Sequence, residues 1–94
     1  MIDKEAILNE RGWLCEICEN PTSQPELHHC LFHRMKGVKE LDEKFNLQVV
    51  CPACHSLHAN DYENRRAFWD AQVKRYGSEM QEWFDRLPLK VKKY

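Results

Sequence analysis

Bulk positive charge is missing from this chain. Its 14 lysines and arginines face 15 aspartates and glutamates, leaving a formal charge of −1. A protein that grips nucleic acid over its whole surface carries a basic excess, so phosphate could be held here only by local patches. A long apolar run is missing as well. The opening Met1-Ile2-Asp3-Lys4-Glu5 is charged, so we expect neither a signal peptide nor a membrane anchor, and a reducing, cytoplasmic home. Repeats, low-complexity tracts and long linkers are also absent, so the 94 residues read as one domain. A domain of this size buries only about 60–65% of the surface its unfolded chain exposes, which makes a metal clamp a sensible supplement to the core.

The charge that is present is unevenly placed. Arg34, Lys36 and Lys39 form one basic group, Arg65, Arg66, Lys74 and Arg75 a second, and Lys90, Lys92 and Lys93 a third. Acids concentrate near 3–19, 40–43 and 79–85. The basic groups are ordinarily solvated faces, and only proximity to a phosphate site would make them more.

Cysteine supplies the sharpest signal. Cys15-x-x-Cys18 and Cys51-x-x-Cys54 are two tight knuckles, each able to present both sulfurs to one ion, and four thiolates close a tetrahedral Zn²⁺ site completely. Paired disulfides are the competing reading. The odd fifth cysteine, Cys30, and the expected reducing compartment argue against it. Because a four-thiolate site keeps no open position, any chemistry must come from elsewhere. Adjacent histidines, His28-His29, lie between the knuckles, and His55 follows the second one directly.

The coarse pattern predicts an α+β fold. Residues 3–11 read as a helix that Gly12 ends, and 20–25 as a turn-rich loop. Residues 26–31 and 45–50 read as two strands of a hairpin with a long loop, 32–44. Helices are expected over 53–60, roughly 61–76, and 79–87. In the last, Met80, Trp83, Phe84 and Leu87 recur at three- and four-residue steps, and Ser78 with Gln81 makes a capping box. Phe68, Trp69, Val73 and Tyr76 are read as core rather than as base-stacking platforms, and Cys30 as a small buried hydrophobe.

The order Gly12-Trp13-Leu14-Cys15-Glu16-Ile17-Cys18, Glu26-Leu27-His28-His29, Asn46-Leu47, Cys51-Pro52-Ala53-Cys54-His55 resembles the zinc-containing branch of the HNH nucleases. That family has the ββα-metal fold. The resemblance covers about residues 10–60 and leaves 61–94 as a helical extension of a single domain, 1–94. It implies a metal-dependent DNA endonuclease of compact bacterial or phage type, leaving 5′-phosphate and 3′-hydroxyl ends on duplex or branched DNA. Carried over by position, His29 is the general base, a task suited to imidazole because its pKa lies near neutrality. His28 and His55 are ligands of a catalytic divalent metal, and Asn46 braces the loop and orients the base. Nitrogen ligands admit Mn²⁺, Ni²⁺, Co²⁺ or Zn²⁺ as well as Mg²⁺.

His58 departs from the pattern. It lies three residues after His55, on the same helical face, and is read as a third ligand, with phosphate contact or a solvated surface histidine as alternatives. His33 is read as a surface histidine. Strand alternation would send His28 and His29 to opposite sides, so a shared site requires the strand to end or twist there. Arg34, Lys36, Lys39, Arg65 and Arg66 are the candidate phosphate contacts. Two other functions remain: a non-catalytic zinc module for nucleic acid or protein, and a metal-dependent hydrolase acting on another substrate. The module needs only the cysteines, yet it leaves the histidines without a role and places 32 residues between its knuckles.

Overall fold

The computed structural model describes residues 2–92, and Lys93 of the basic tail lies outside them. Helix α1 (Lys4–Arg11) begins where the Asp3 carboxylate accepts from the Ala6 N–H at 3.1 Å, and it ends at Gly12 in the left-handed region, φ 76°. The Trp13 N–H returns to the Leu8 carbonyl at 3.0 Å, a closing turn that requires a positive φ and so favours glycine. Among the described residues, no helix is long and apolar enough to cross a membrane.

Strands β1 (Glu26–His29) and β2 (Leu47–Val50) form a two-stranded antiparallel sheet, pairing Glu26 with Val50, Leu27 with Val49, His28 with Gln48 and His29 with Leu47. Both are shorter than the pattern suggested: β1 ends at His29, and a 3₁₀ turn over Lys44–Asn46, preceded by another over Lys39–Asp42, takes up the expected start of β2. Alternation gives the sheet two different faces. Leu47 and Val49, with Leu27, pack under Ile7 and Leu8 of α1. Glu26, His28, Gln48 and Val50 share the opposite face by register.

That second face meets helix α2 (Pro52–Leu57), whose first turn is capped by the Cys51 sulfur accepting from the Cys54 N–H at 3.5 Å. The helix stops earlier than expected, and His58 is its C-cap residue. Helices α3 (Tyr62–Tyr76), α4 (Ser78–Arg86) and α5 (Leu89–Lys92) complete the chain. Gly77 rather than Ser78 occupies the N-cap of α4, without a side-chain cap, so the predicted capping box does not form.

The amphipathic face of α4 is where the largest core lies. Met80, Trp83 and Leu87 pack with Val38, Leu41, Phe45 and Val91, and Phe32, Trp69, Tyr76 and Phe84 close its edges. The helical extension therefore covers the long loop between the strands, and the Trp83 indole N–H donates to the Glu40 carbonyl at 2.9 Å. Phe68 is buried as expected, whereas Val73 faces solvent on the outer side of α3, because the inward position one residue earlier belongs to buried Gln72. Gln72 donates to the carbonyls of Lys44 and Phe45 and so satisfies backbone groups of the 3₁₀ turn.

Candidate functional site

The sulfurs of Cys15, Cys18, Cys51 and Cys54 all lie within 4.8 Å of one another. Zn–S bonds of about 2.3 Å in a tetrahedron require sulfur separations of roughly 3.8 Å, so this group can hold a metal ion such as zinc. Among the described residues, it is the only group of three or more cysteine, histidine or acidic side chains whose ligand atoms converge so closely. Although burial opposes ionisation, the backbone N–H groups of Cys18, Cys51 and Ile17 bring the Cys15 thiol down to about 7. Burial and hydrogen bonds among the neighbouring thiols push Cys54 up to about 12. Binding of a cation would displace these protons, because thiolate is the ligand form.

The first knuckle is joined to the sheet by Glu16. Its N–H donates to the Val49 carbonyl at 2.8 Å, and its carboxylate accepts from the Val49 N–H at 2.6 Å. The same carboxylate receives the Arg11 guanidinium at 2.9 Å. Arg11 is buried, and it also donates to the carbonyls of Leu47 and Lys44 and to the Tyr76 hydroxyl. One cation thus ties α1, the knuckle, β2 and α3 together.

On the other side of the knuckles, β1 and α2 bring His28 and His55 together, with ring centroids 5.1 Å apart and planes inclined at 58°. Each ring has one nitrogen engaged. The Nδ1 of His55 lies 2.7 Å from Glu26 Oε1; as donor to a carboxylate this nitrogen carries the proton, which in the neutral ring puts the lone pair on Nε2. The Nε2 of His28 lies 3.1 Å from the Ala59 carbonyl, which also only accepts, so Nδ1 keeps the lone pair of that ring. Burial first, then the charge His55 would carry, holds the pKa of His28 below its ordinary value. In their neutral form two imidazoles, each steadied by an outer acceptor, would be a suitable donor set for a divalent transition metal.

His29 belongs to the other face of the sheet. β1 ends there, and the Nε2 of His29 lies 2.8 Å from Asp42 Oδ1, so by the same argument Nε2 is the donor and, in the neutral ring, Nδ1 carries the lone pair. Arg34 approaches the same carboxylate oxygen at 3.9 Å. Asn46 is fully buried and all its side-chain bonding is internal. Its Oδ1 accepts from the N–H groups of Leu31 and Phe32 at 2.9 and 3.0 Å, and its Nδ2 donates to the carbonyls of Phe32 and Leu41, each at 2.9 Å. The loop is thereby pinned just after His29 and just before Asp42.

His58 is exposed, with Nδ1 3.7 Å from Asp61, and it does not converge with His28 and His55 in a three-ligand group. Lys36, Lys39, Arg65, Arg66 and His33 are exposed. Cys30 is buried, and desolvation followed by the charge of Glu16 pushes its thiol up to about 12.

The acceptors that hold the histidines were not foreseen from the sequence. Glu26 was within reach, because it sits two residues before His28 on the same strand face. Asp42 and Ala59 carried no local signal. No family model matches the chain, and no curated protein or solved structure matches it significantly.

Proposed function

We propose that this protein is a metal-dependent endonuclease of the HNH kind, built on a ββα-metal core, that hydrolyses DNA phosphodiester bonds in duplex or branched DNA. The observation that carries the reading is the pair of oriented imidazoles, His28 and His55; His29, the next residue and the last of its strand, is held by its own carboxylate on the other face and is assigned as the base by its place in the motif. The order strand, strand, helix, with the histidines on the first strand and the helix, supports it.

Each residue then has a task. A divalent cation (Mg²⁺, Mn²⁺, Ni²⁺, Co²⁺ or Zn²⁺) held by His28 Nδ1 and His55 Nε2 would offset negative charge on the scissile phosphate and the departing oxygen. His29 Nδ1 takes a proton from the attacking water as its oxygen bonds to phosphorus. The bond from phosphorus to the 3′ oxygen breaks, and that oxygen gains a proton from solvent, leaving 5′-phosphate and 3′-hydroxyl ends. Asp42 keeps the His29 ring in the tautomer that exposes Nδ1 and stabilises the imidazolium once formed. Asn46 acts one step further out, by fixing the backbone next to Asp42. Arg34, Lys36, Lys39, Arg65 and Arg66 are exposed and able to meet phosphates. The four-cysteine centre is structural and closed.

Incubation of the zinc-loaded protein with supercoiled plasmid in the presence of Mg²⁺, Mn²⁺ or Ni²⁺ tests the proposal. Nicked or linear products from the parent, and none from His29→Ala, are expected. Failure of the parent to cut plasmid or branched DNA with any of these metals would leave the second reading, a non-catalytic zinc module for nucleic acid or protein. The convergence of the cysteines alone into a complete ligand set favours that alternative.

A further inference from the structure

One buried polar network is not used by the mechanism above, and it lies directly behind His28. Gln48, the cross-strand partner of His28, is fully buried and exchanges two hydrogen bonds with Asn64 of α3: Gln48 Nε2 donates to Asn64 Oδ1, and Asn64 Nδ2 donates to Gln48 Oε1, both at 2.9 Å. Asn64 Nδ2 also donates to the Ala59 carbonyl at 2.9 Å. That is the carbonyl on which His28 Nε2 rests. Ala59 is held on its N-terminal side too, where its N–H donates to the Cys54 carbonyl at 3.0 Å.

We infer that Asn64 is a positioning residue for His28: it holds the Ala59 carbonyl as a fixed acceptor, which keeps His28 in the Nε2–H tautomer and leaves Nδ1 as the lone pair for metal. The inference rests on the reading of His28 as a metal ligand. Three features support it. Ala59 is wholly buried, so water does not compete for its carbonyl. Exchanging O and N in both amides together would keep the Gln48–Asn64 pair but set the Asn64 oxygen against the Ala59 carbonyl, so that carbonyl fixes the orientation of the pair. The clamp also joins α3, in the helical extension, to β2, the strand paired with the one that carries His28, so the extension does more than cover the core.

Long-range ¹H–¹⁵N spectra of the histidine rings report the tautomer directly, and they are to be recorded on the full, zinc-loaded chain above the histidine titration range. The parent is expected to show His28 protonated at Nε2. Asn64→Leu, which keeps side-chain bulk and removes both amide groups, is expected to give a mixture of tautomers. Its affinity for Ni²⁺, followed through the His28 and His55 ring signals, should fall by about tenfold, the low end of the range for outer-sphere partners. Asn64→Ala serves if the leucine variant does not fold. A folded variant that keeps the parent tautomer, or the parent Ni²⁺ affinity, overturns the inference. Should the parent's ring signals ignore Ni²⁺, the metal reading of His28 is what fails, and the tautomer result alone then decides whether Asn64 sets the ring.

Discussion

Glu16 and Val49 exchange two hydrogen bonds, of 2.8 and 2.6 Å, so the first cysteine knuckle is bonded onto the strand that pairs with the histidine strand. The four-cysteine cluster and the sheet are therefore one mechanical unit. Its sulfurs come from two distant chain segments, so binding of an ion such as zinc would be coupled to folding. Purified protein is expected to hold one zinc tightly per chain, and Cys51→Ser to unfold the domain. Elemental analysis and circular dichroism with and without a chelator test this; a Cys51→Ser protein that melts like the parent refutes it.

On the proposed mechanism the histidines divide into base and ligands. His29→Ala is expected to lower the cleavage rate by about 10²–10⁴ while leaving the affinity for the second metal intact. His28→Ala and His55→Ala should weaken that affinity as well. Asp42→Asn should slow cleavage in the same direction as His29→Ala and by less. Calorimetric titration of Ni²⁺ into the zinc-loaded variants separates the roles, and equal loss of affinity in all three alanine variants would make His29 a ligand.

Stability also rests on two buried side chains outside the histidine cluster. Trp83 is fully buried between the long loop and α4, and Trp83→Ala is expected to cost about 3–5 kcal/mol. Arg11→Ala removes the guanidinium that donates to the Leu47 carbonyl and pairs with the Glu16 carboxylate, and should cost a similar amount, about 3–5 kcal/mol. Urea unfolding of the zinc-loaded variants measures both. A loss under about 1 kcal/mol for either would show that its surroundings collapse or rehydrate.

Cys30 should be silent to thiol reagents. With its pKa near 12, its thiolate fraction at neutral pH is on the order of 10⁻⁵, and its side chain is buried. Iodoacetamide is expected to leave Cys30 unlabelled in the zinc-loaded protein and to label all five cysteines after chelation and denaturation. Mass spectrometry that finds early modification of Cys30 in the native protein would mean that its burial is transient.

DNA binding should weaken with salt, because in a nearly neutral chain only local patches hold phosphate. Arg65→Ala/Arg66→Ala is expected to weaken binding to all sequences alike and to flatten the plot of log affinity against log salt by about 0.9 for each phosphate no longer neutralised. An unchanged slope excludes the pair as phosphate ligands.

Short-range rules account for what was legible in the chain alone. The two-residue knuckle spacing predicted which four sulfurs converge, and Gly12 marked the end of α1, because a turn and a left-handed cap are decided within a few residues. The apolar steps of Met80, Trp83 and Leu87 revealed α4 for the same reason. Strand alternation put His28 and His29 on opposite faces, and the structure keeps them there: His28 turns to α2, and His29, at the end of the strand, to Asp42. The partners of these side chains were set by the folded chain as a whole. Asp42 meets His29 across 13 positions, Glu26 meets His55 across 29, and Ala59 meets His28 across 31. No periodicity encodes such pairs, since each depends on where a loop is pinned or a helix stops. The end of α2 at Leu57 rather than Asn60 is such a case: it makes His58 an exposed cap and turns Ala59 inward, where its carbonyl selects the tautomer of His28.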